Sequence, residues 1–386
     1  VGMKCNKIRR VVVGLSGGVD SAVSTLLLKN RGYEIVGVFM KNWDSVDENG
    51  KCSYEQDAED AYRTCSKLNV KFLETNFVKD YWNSVFCKFL QQYEEGLTPN
   101  PDVMCNQFIK FDTFLKFAIH KLGADAIATG HYAKNSFGEN LELKDRKKGA
   151  FLLKAYDKIK DQTYFLSHIP QRALQKTIFP LGDYSKTSVK QIAQAAGLSN
   201  LCRKKESYGI CFIGRKNFKS FISEYIPPKP GNFVSIETGE VVGTHQGIHL
   251  FTIGERCRIN GLPVAHFVVD KNVETSEILV APGHAHPALY SFDFVTQIPT
   301  WINPHPEMLC KSQSHKCYVK LFSTGKLHEC VVYLGDEECK VSLKCPQRGI
   351  SPGQVAVFYS GEVCLGGAVI LKRGPAAHDS KNYNIN

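Results

Sequence analysis

Residues Val11-Val12-Val13-Gly14-Leu15 run directly into Ser16-Gly17-Gly18-Val19-Asp20-Ser21, and a helical pattern follows. The β-branched run reads as a buried strand. Two adjacent glycines let backbone N–H groups come close to an anion, and a helix opening at Asp20 and Ser21 aims its positive end at the same point. Strand, glycine turn and helix in that order constrain this part of the chain to an α/β layout with a phosphate-binding turn. No lysine follows the glycines, so the G-x-x-x-x-G-K-[ST] phosphate loop is excluded.

The pattern continues through the first third of the chain. Strand-like runs at 11–15, 34–40, 71–75 and 125–129 alternate with helical runs at 21–30, 58–68, 79–95 and 107–122. Such alternation predicts a doubly wound parallel sheet covered on both faces. Ligands of these sheets collect at the carboxyl ends of the strands. The loops 16–21, 40–43 and 130–132 are therefore expected to converge. Further on, 151–156 reads as a strand, 185–196 and 217–225 as helices, and 204–215 as a glycine-containing loop. Pro227-Pro228-Lys229-Pro230-Gly231 cannot continue a helix and forms a linker. Beyond it, short strand runs with turns predict small β-barrels. The expected order is an α/β catalytic domain over 1–215, a small central domain over 216–285, a C-terminal β-barrel over 286–375 and a frayed tail over 376–386.

With 386 residues, 43% of them hydrophobic, the chain has material for a large core in two or three domains. It has no apolar run of membrane-spanning length, and residues 1–10 lack the character of a signal peptide. A formal charge of +10 suits a polyanionic partner, nucleic acid foremost. The 14 cysteines include no C-x-x-C pair, so buried or free thiols in a reducing compartment are expected rather than a disulfide framework or a zinc site.

Two further stretches carry reactive groups. In Thr98-Pro99-Asn100-Pro101-Asp102-Val103-Met104-Cys105-Asn106, two prolines stiffen a loop presenting a carboxylate and a thiol, with a helix expected to begin near Asn106. A thiol at a helix N-terminus has its thiolate favoured by the dipole. In Lys204-Lys205-Glu206-Ser207-Tyr208-Gly209-Ile210-Cys211-Phe212-Ile213-Gly214, a cysteine lies between glycines, with lysines and Arg215 nearby to lower its pKa and attract phosphate. Taken singly, each cysteine reads as a packed thiol.

The string Ser16-Gly17-Gly18-Val19-Asp20-Ser21 resembles the PP-loop of ATP pyrophosphatases of the N-type. With Asn100-Pro101-Asp102, Cys105 and Gly209-Ile210-Cys211-Phe212-Ile213-Gly214 in this order, the chain closely resembles the tRNA-specific 2-thiouridylases. The likeness extends to Met40-Lys41-Asn42-Trp43-Asp44, Ala128-Thr129-Gly130-His131-Tyr132, Lys160-Asp161-Gln162-Thr163 and Ser351-Pro352-Gly353-Gln354. Tyr93-Glu94-Glu95-Gly96, Thr177-Ile178-Phe179-Pro180-Leu181-Gly182 and His286-Pro287-Ala288-Leu289-Tyr290 bring it nearest to the mitochondrial branch, with a cytoplasmic location as the bacterial alternative.

The resemblance implies that ATP adenylates the C2 oxygen of the wobble uridine (U34) of tRNA and that a cysteine persulfide then supplies sulfur, giving 2-thiouridine, AMP and pyrophosphate. It implies nucleotide contacts from Gly14, Leu15, Ser16, Gly17, Gly18, Val19, Asp20, Ser21, Met40 and Gly130. Cys211 matches the persulfide carrier, Cys105 the thiol that releases sulfur and ends in a disulfide with Cys211, and Asp102 the general acid/base. Asn100, Pro101, Asp102, Lys160, Asp161, Gln162, Lys320, Leu321 and Gln354 match tRNA-contacting positions. Where relatives carry an Arg-aromatic-Arg string, Lys320-Leu321-Phe322 keeps one charge and loses the bidentate fork. Mg²⁺ is implied with the nucleotide, Asp20 being the residue considered for it, and no metal site built by the protein is assigned. The implied partners are anticodon regions of tRNAs carrying U34, such as those for Lys, Glu and Gln, and sulfur-relay proteins fed by a cysteine desulfurase, with no membrane.

Two other readings compete. A PP-loop ligase acting on a small molecule leaves Cys105, Cys211 and the basic β-rich end without use, and an RNA-binding module leaves the intact PP-loop without purpose. ATP cleavage to AMP and pyrophosphate only when tRNA is present separates all three. For His131, Trp43 and Tyr132, packing or internal hydrogen bonding is the favoured reading over ligand contact. Cys310, Cys317, Cys330, Cys339, Cys345 and Cys364 read as ordinary strand positions, and His284 and His286 as turn residues.

Overall fold

The computed structural model describes residues 8–43, 53–143, 145, 148–204, 217–303 and 314–377. The chain divides into two compact units: residues 1–86, 101–215 and 361–365 form one, and 87–100, 216–360 and 366–386 the other. Each is taken by itself.

In the first unit, β1 (Arg10–Leu15) lies between parallel neighbours β2 (Glu34–Lys41) and β4 (Ala126–Ala128), with β3 (Lys71–Asn76) and β5 (Thr177–Ile178) outside them. Val11, Val12 and Val13 are fully buried, as a strand covered on both faces requires. Strand order reverses on either side of β1, so the loops leaving β1 and β4 flank a topological switch point. The register sets Leu15 opposite Phe39 and Val13 opposite Ala128. The helix Val19–Asn30 buries Val19, Ala22 and Val23 in a cluster with Tyr132, Val189, Ala193 and Leu201. Helix Lys186–Ala195, capped by the Ser185 hydroxyl accepting from Ser188 N–H, supplies the other side of that cluster.

Helical backbone begins at Pro101 rather than near Asn106 and runs to Leu122, with a π-helical stretch over Cys105–Thr113. Proline is favoured at the first helical position, where its missing N–H removes nothing. Cys105 therefore lies one turn inside the helix, and the expected dipole at its own N-terminus does not act on it as proposed. The strand expected over 151–156 contracts to Leu152–Leu153, which pairs with Lys134–Asn135 and with Val363–Cys364.

The second unit holds two sheets. A five-stranded sheet spans Gly231 to Pro282 around Phe233, Ile248, Val268, Ile278 and Val280. The other closes into a six-stranded barrel, because Tyr290–Gln297 pairs both with Glu338–Arg348 and with Val363–Arg373. Ala376 and Ala377, read from the sequence as the start of a frayed tail, are buried. Residues 378–386 lie outside the described residues. No helix among the described residues is long and apolar enough to cross a membrane. None of the described cysteines is in a disulfide.

His168 is buried in the first unit, and desolvation lowers its pKa from 6.5 to about 4. Below pH 6.5 the unfolded chain takes up this proton and the folded chain does not, so stability falls with pH until the folded group titrates. We expect this group to remove about 3 kcal/mol of stability between pH 6.5 and 4. Denaturant titrations across that range should show a shallower acid slope in His168→Gln.

Candidate active site

The three loops expected to converge do so at the carboxyl edge of the parallel sheet. Gly17 has φ +68°, and a Cβ there would stand 2.3 Å from the Asp57 carbonyl oxygen. Only glycine lets the turn pass against the helix Ser53–Lys67. A Cβ on Gly130 would stand 2.8 Å from the Ser21 nitrogen, so the loop after β4 presses backbone to backbone on the start of the helix Val19–Asn30. Met40 reaches the other flank: its terminal methyl would be 3.2 Å from a Cβ on Gly14.

The turn is held internally. Ser16 N–H donates to Ser21 Oγ at 3.2 Å, the two hydroxyls are 3.2 Å apart, and Ser21 Oγ donates to Gly18 O at 3.1 Å. Gly18 caps the helix with no side-chain acceptor, and the first intrahelical bond of this turn is Ala22 N–H to Gly18 O. The N–H groups of Val19, Asp20 and Ser21 thus belong to the helix start that ordinarily takes an anion. A helix N-terminus without a side-chain cap, beside glycines that admit no Cβ, fits a nucleotide phosphate.

Two lysines flank this turn: Lys204, from the stretch expected to attract phosphate, and Lys186, which no sequence motif marks. Lys186 Nζ donates to both Asp20 oxygens at 2.8 and 2.7 Å, and Tyr132 Oη donates to Asp20 Oδ1 at 2.8 Å. The Lys186 ammonium also lies 5.9 Å from the Tyr132 ring centre. Lys204 Nζ donates to Gly17 O at 3.2 Å and to Asp57 Oδ1 and Asp60 Oδ2 at 2.6 Å each. Burial disfavours its charge, yet the hydrogen bonds to Asp57 and Asp60 outweigh that and raise its pKa. With its carboxylate engaged by Lys186 and Tyr132, Asp20 does not by itself make a metal site. No cluster of three potential metal ligands occurs among the described residues.

Asp102 occupies the first helical turn after Pro101, and Cys105 follows it, buried, at the start of the π-helical stretch. Burial raises the Asp102 pKa against the opposing pull of Lys110. Asn106 Nδ2 donates to Phe165 O at 3.1 Å, while its buried Oδ1 has no hydrogen-bond partner. His131 is buried with its Nδ1 2.8 Å from Thr129 Oγ1. Desolvation and then Lys110 hold its pKa well below 6.5, so the ring is neutral at pH 7. Cys211 lies outside the described residues.

The residues matched to RNA contacts are half-buried or buried, and several of them brace the fold. Asp161 accepts from Ala155 N–H at 2.7 Å and from Thr163 Oγ1 at 2.5 Å, so it braces its own turn. Gln162 exchanges bonds with Tyr132, accepting its N–H through Oε1 and donating its own N–H to its carbonyl, each at 2.9 Å. That ties Lys160-Asp161-Gln162 to the loop after β4. In the second unit, Gln354 Nε2 donates to Thr98 O at 2.9 Å and Thr98 N–H donates to Pro352 O at 2.8 Å. Gly353, at φ +91°, comes so close that a Cβ would be 2.7 Å from Thr98 N. Residues 352–354 therefore grip the chain two residues before Asn100. Lys320 ends a barrel strand, and Leu321, the next residue, is only 2% exposed. Trp43 packs on Tyr81, Trp82 and Phe86, the packing role allowed for it above.

A doubly wound sheet with a lysine-free glycine turn at its switch point defines a nucleotide-binding α/β protein of the PP-loop class. Family models agree along the chain: "tRNA methyl transferase HUP domain" matches residues 9–215, "tRNA methyl transferase PRC-barrel domain" 219–282 and "Aminomethyltransferase beta-barrel domain" 292–370. Mitochondrial tRNA-specific 2-thiouridylase 1 of Gallus gallus is 48% identical over 95% of this chain and 93% of its own length, and that of Homo sapiens 46% identical over 96% and 92%. The tRNA-specific 2-thiouridylase MnmA of Alkaliphilus oremlandii is 45% identical over 95% and 98%. The chain belongs to the tRNA-specific 2-thiouridylase family. A solved 4-thiouridine synthetase–RNA complex with bound ATP shares 18% identity at a TM-score of 0.35 over 54% of this chain and 46% of its own, a likeness too slight to argue from.

Gly17→Ala is expected to abolish nucleotide binding, because it adds a Cβ both in a left-handed conformation and against the Asp57 backbone. Lys204→Met leaves Asp57 and Asp60 without their cation beside the anion site and should weaken ATP binding roughly tenfold. Isothermal titration with ATP measures both.

Proposed function

We propose that this chain thiolates the wobble uridine of tRNA by adenylating its C2 oxygen and then replacing that oxygen with persulfide sulfur carried on Cys211. The observation that carries the nucleotide half is the uncapped helix start at Val19–Ser21, walled by Gly17, Gly18 and Gly130. Membership of the 2-thiouridylases makes the chain a tRNA-uridine 2-sulfurtransferase with tRNA as substrate. The names of its animal relatives support a mitochondrial location. The description of the family models as methyl transferase finds no counterpart in the names of these relatives, and a PP-loop fits cleavage of ATP.

A uracil carbonyl is a poor electrophile until its oxygen becomes a leaving group. In the proposed first step the C2 oxygen attacks the α-phosphorus of ATP and pyrophosphate departs. The backbone donors of residues 18–21 and the Lys186 ammonium supply positive charge where the phosphates would lie. The terminal sulfur of the Cys211 persulfide then attacks C2, and AMP leaves with the former oxygen. The Cys105 thiolate attacks Cys211 Sγ, which breaks the sulfur–sulfur bond, leaves sulfur on C2 and closes a Cys105–Cys211 disulfide. A thiol reductant resets the pair.

Asp102, whose pKa is raised by burial, is the group proposed to pass a proton at the base. Lys160 and Gln162, joined to the loop at Tyr132, and Asn100 and Pro101, set beside Asp102, are the residues proposed to meet the everted nucleotide. Lys320 and Leu321 are the positions proposed for a contact on the barrel, and Gln354 acts by holding the segment that leads to Asn100. The division proposed along the chain is a catalytic domain to residue 215, a central domain to 285 and a barrel to 375. Sulfur would arrive from relay proteins fed by a cysteine desulfurase.

Mass spectrometry of wobble uridine after incubation of tRNA with protein, ATP and a persulfide source tests the scheme. Cys105→Ser and Cys211→Ser should each lower 2-thiouridine at least about 100-fold and still release pyrophosphate in the presence of tRNA. Full thiolation by either variant overturns the assignment of that cysteine. Pyrophosphate release indifferent to tRNA would instead favour a small-molecule ligase.

A further inference from the structure

The barrel of the second unit contains two cysteines placed directly opposite each other on adjacent antiparallel strands. Cys317 on Ser314–Lys320 is in register with Cys330 on His328–Leu334. Directly opposite residues have Cα atoms about 4.5–5.5 Å apart, inside the range a disulfide spans. The side chains have turned toward each other, with the two Sγ atoms 3.5 Å apart. Both sit on the row that carries Val319 and Val332, which are fully buried, so the thiols share the inner face of the sheet. Cys330 is buried, and Cys317 keeps partial access to solvent. No metal cluster among the described residues claims them.

We propose that Cys317 and Cys330 form a reversible cross-strand redox pair, a modification site separate from the cysteines of sulfur transfer. A disulfide of the glutathione class is the oxidant. The Cys317 thiolate attacks one sulfur of glutathione disulfide, and a glutathione thiolate leaves and takes up the proton. The Cys330 thiolate then attacks the Cys317 sulfur and expels the second glutathione thiolate. Two thiols are oxidised to one disulfide while one glutathione disulfide is reduced to two thiols. Closure shortens the Sγ separation from 3.5 Å to about 2.05 Å, a movement within side-chain adjustment. Reaction enters at Cys317 for two reasons: it is the accessible partner, and the hydrogen bond to Cys317, followed by burial, pushes the Cys330 thiol up. The product ties together, at mid-length, the two strands of the hairpin that carries Lys320 and Leu321.

The test uses the full-length protein, reduced and then equilibrated with excess glutathione disulfide, with remaining thiols trapped by N-ethylmaleimide before tryptic mapping. The expected product is a disulfide joining peptide 317–320 to peptide 327–340, with Cys339 alkylated in the same molecule, in more than half of the protein after hours and reversed by dithiothreitol. Cys339→Ser should keep the link, and Cys330→Ser should stop at a Cys317–glutathione mixed disulfide. Full alkylation of both Cys317 and Cys330, persistence of the mixed disulfide in the unmutated protein, or a link mapped to Cys339 would each overturn the proposal.

Discussion

The helix start at Val19 is the feature on which the first unit depends. Its unshared N–H groups cannot be satisfied by a side chain, since Gly18 precedes them and Gly17 and Gly130 close the walls with backbone. A protein rarely leaves such donors uncapped at the edge of a sheet unless something negative is to come there. The surrounding sequence follows from that demand. Three buried valines hold the strand that delivers the turn, and small residues replace side chains wherever backbone must meet backbone.

Charge around the turn is balanced in advance. Lys186 rests on Asp20, and Lys204 on Asp57 and Asp60, so both of these cations are already paired within the fold. This arrangement lets the region fold without isolated charge, and an arriving polyphosphate competes with carboxylates for the same ammonium groups. Lys204 touches the glycine turn and precedes Cys211, the proposed sulfur carrier, by seven residues in the chain.

Much of this was legible in the amino-acid order because it is local. Alternating β-branched and helical runs named the parallel sheet, and the glycine turn after β1 named its ligand edge. Lys186 and Lys204 were invisible as partners of this turn because they lie 166 and 187 residues from the groups they bind, and no pattern of period two or 3.6 encodes such a distance. The helix start at Pro101 carried a readable signal, asparagine followed by proline, but two prolines in a row of turn-forming residues weigh equally toward a loop. Strand alternation placed Cys317 and Cys330 in strands, yet only cross-strand register sets them face to face. Leu321 shows the converse limit: it follows the last residue of its strand and is buried, which a match by position does not reveal.

The grip of Pro352, Gly353 and Gln354 on Thr98 has a consequence for how this enzyme can be dissected. Residues 87–100 are stabilised by a segment more than 250 positions downstream, and Val363–Cys364 in turn complete the ladder of Leu152–Leu153. The chain is therefore interlaced rather than strung like beads. A fragment ending at the proline-rich linker would lose a strand from one part and strand a naked helix from the other, so neither piece is inheritable as an independent cassette.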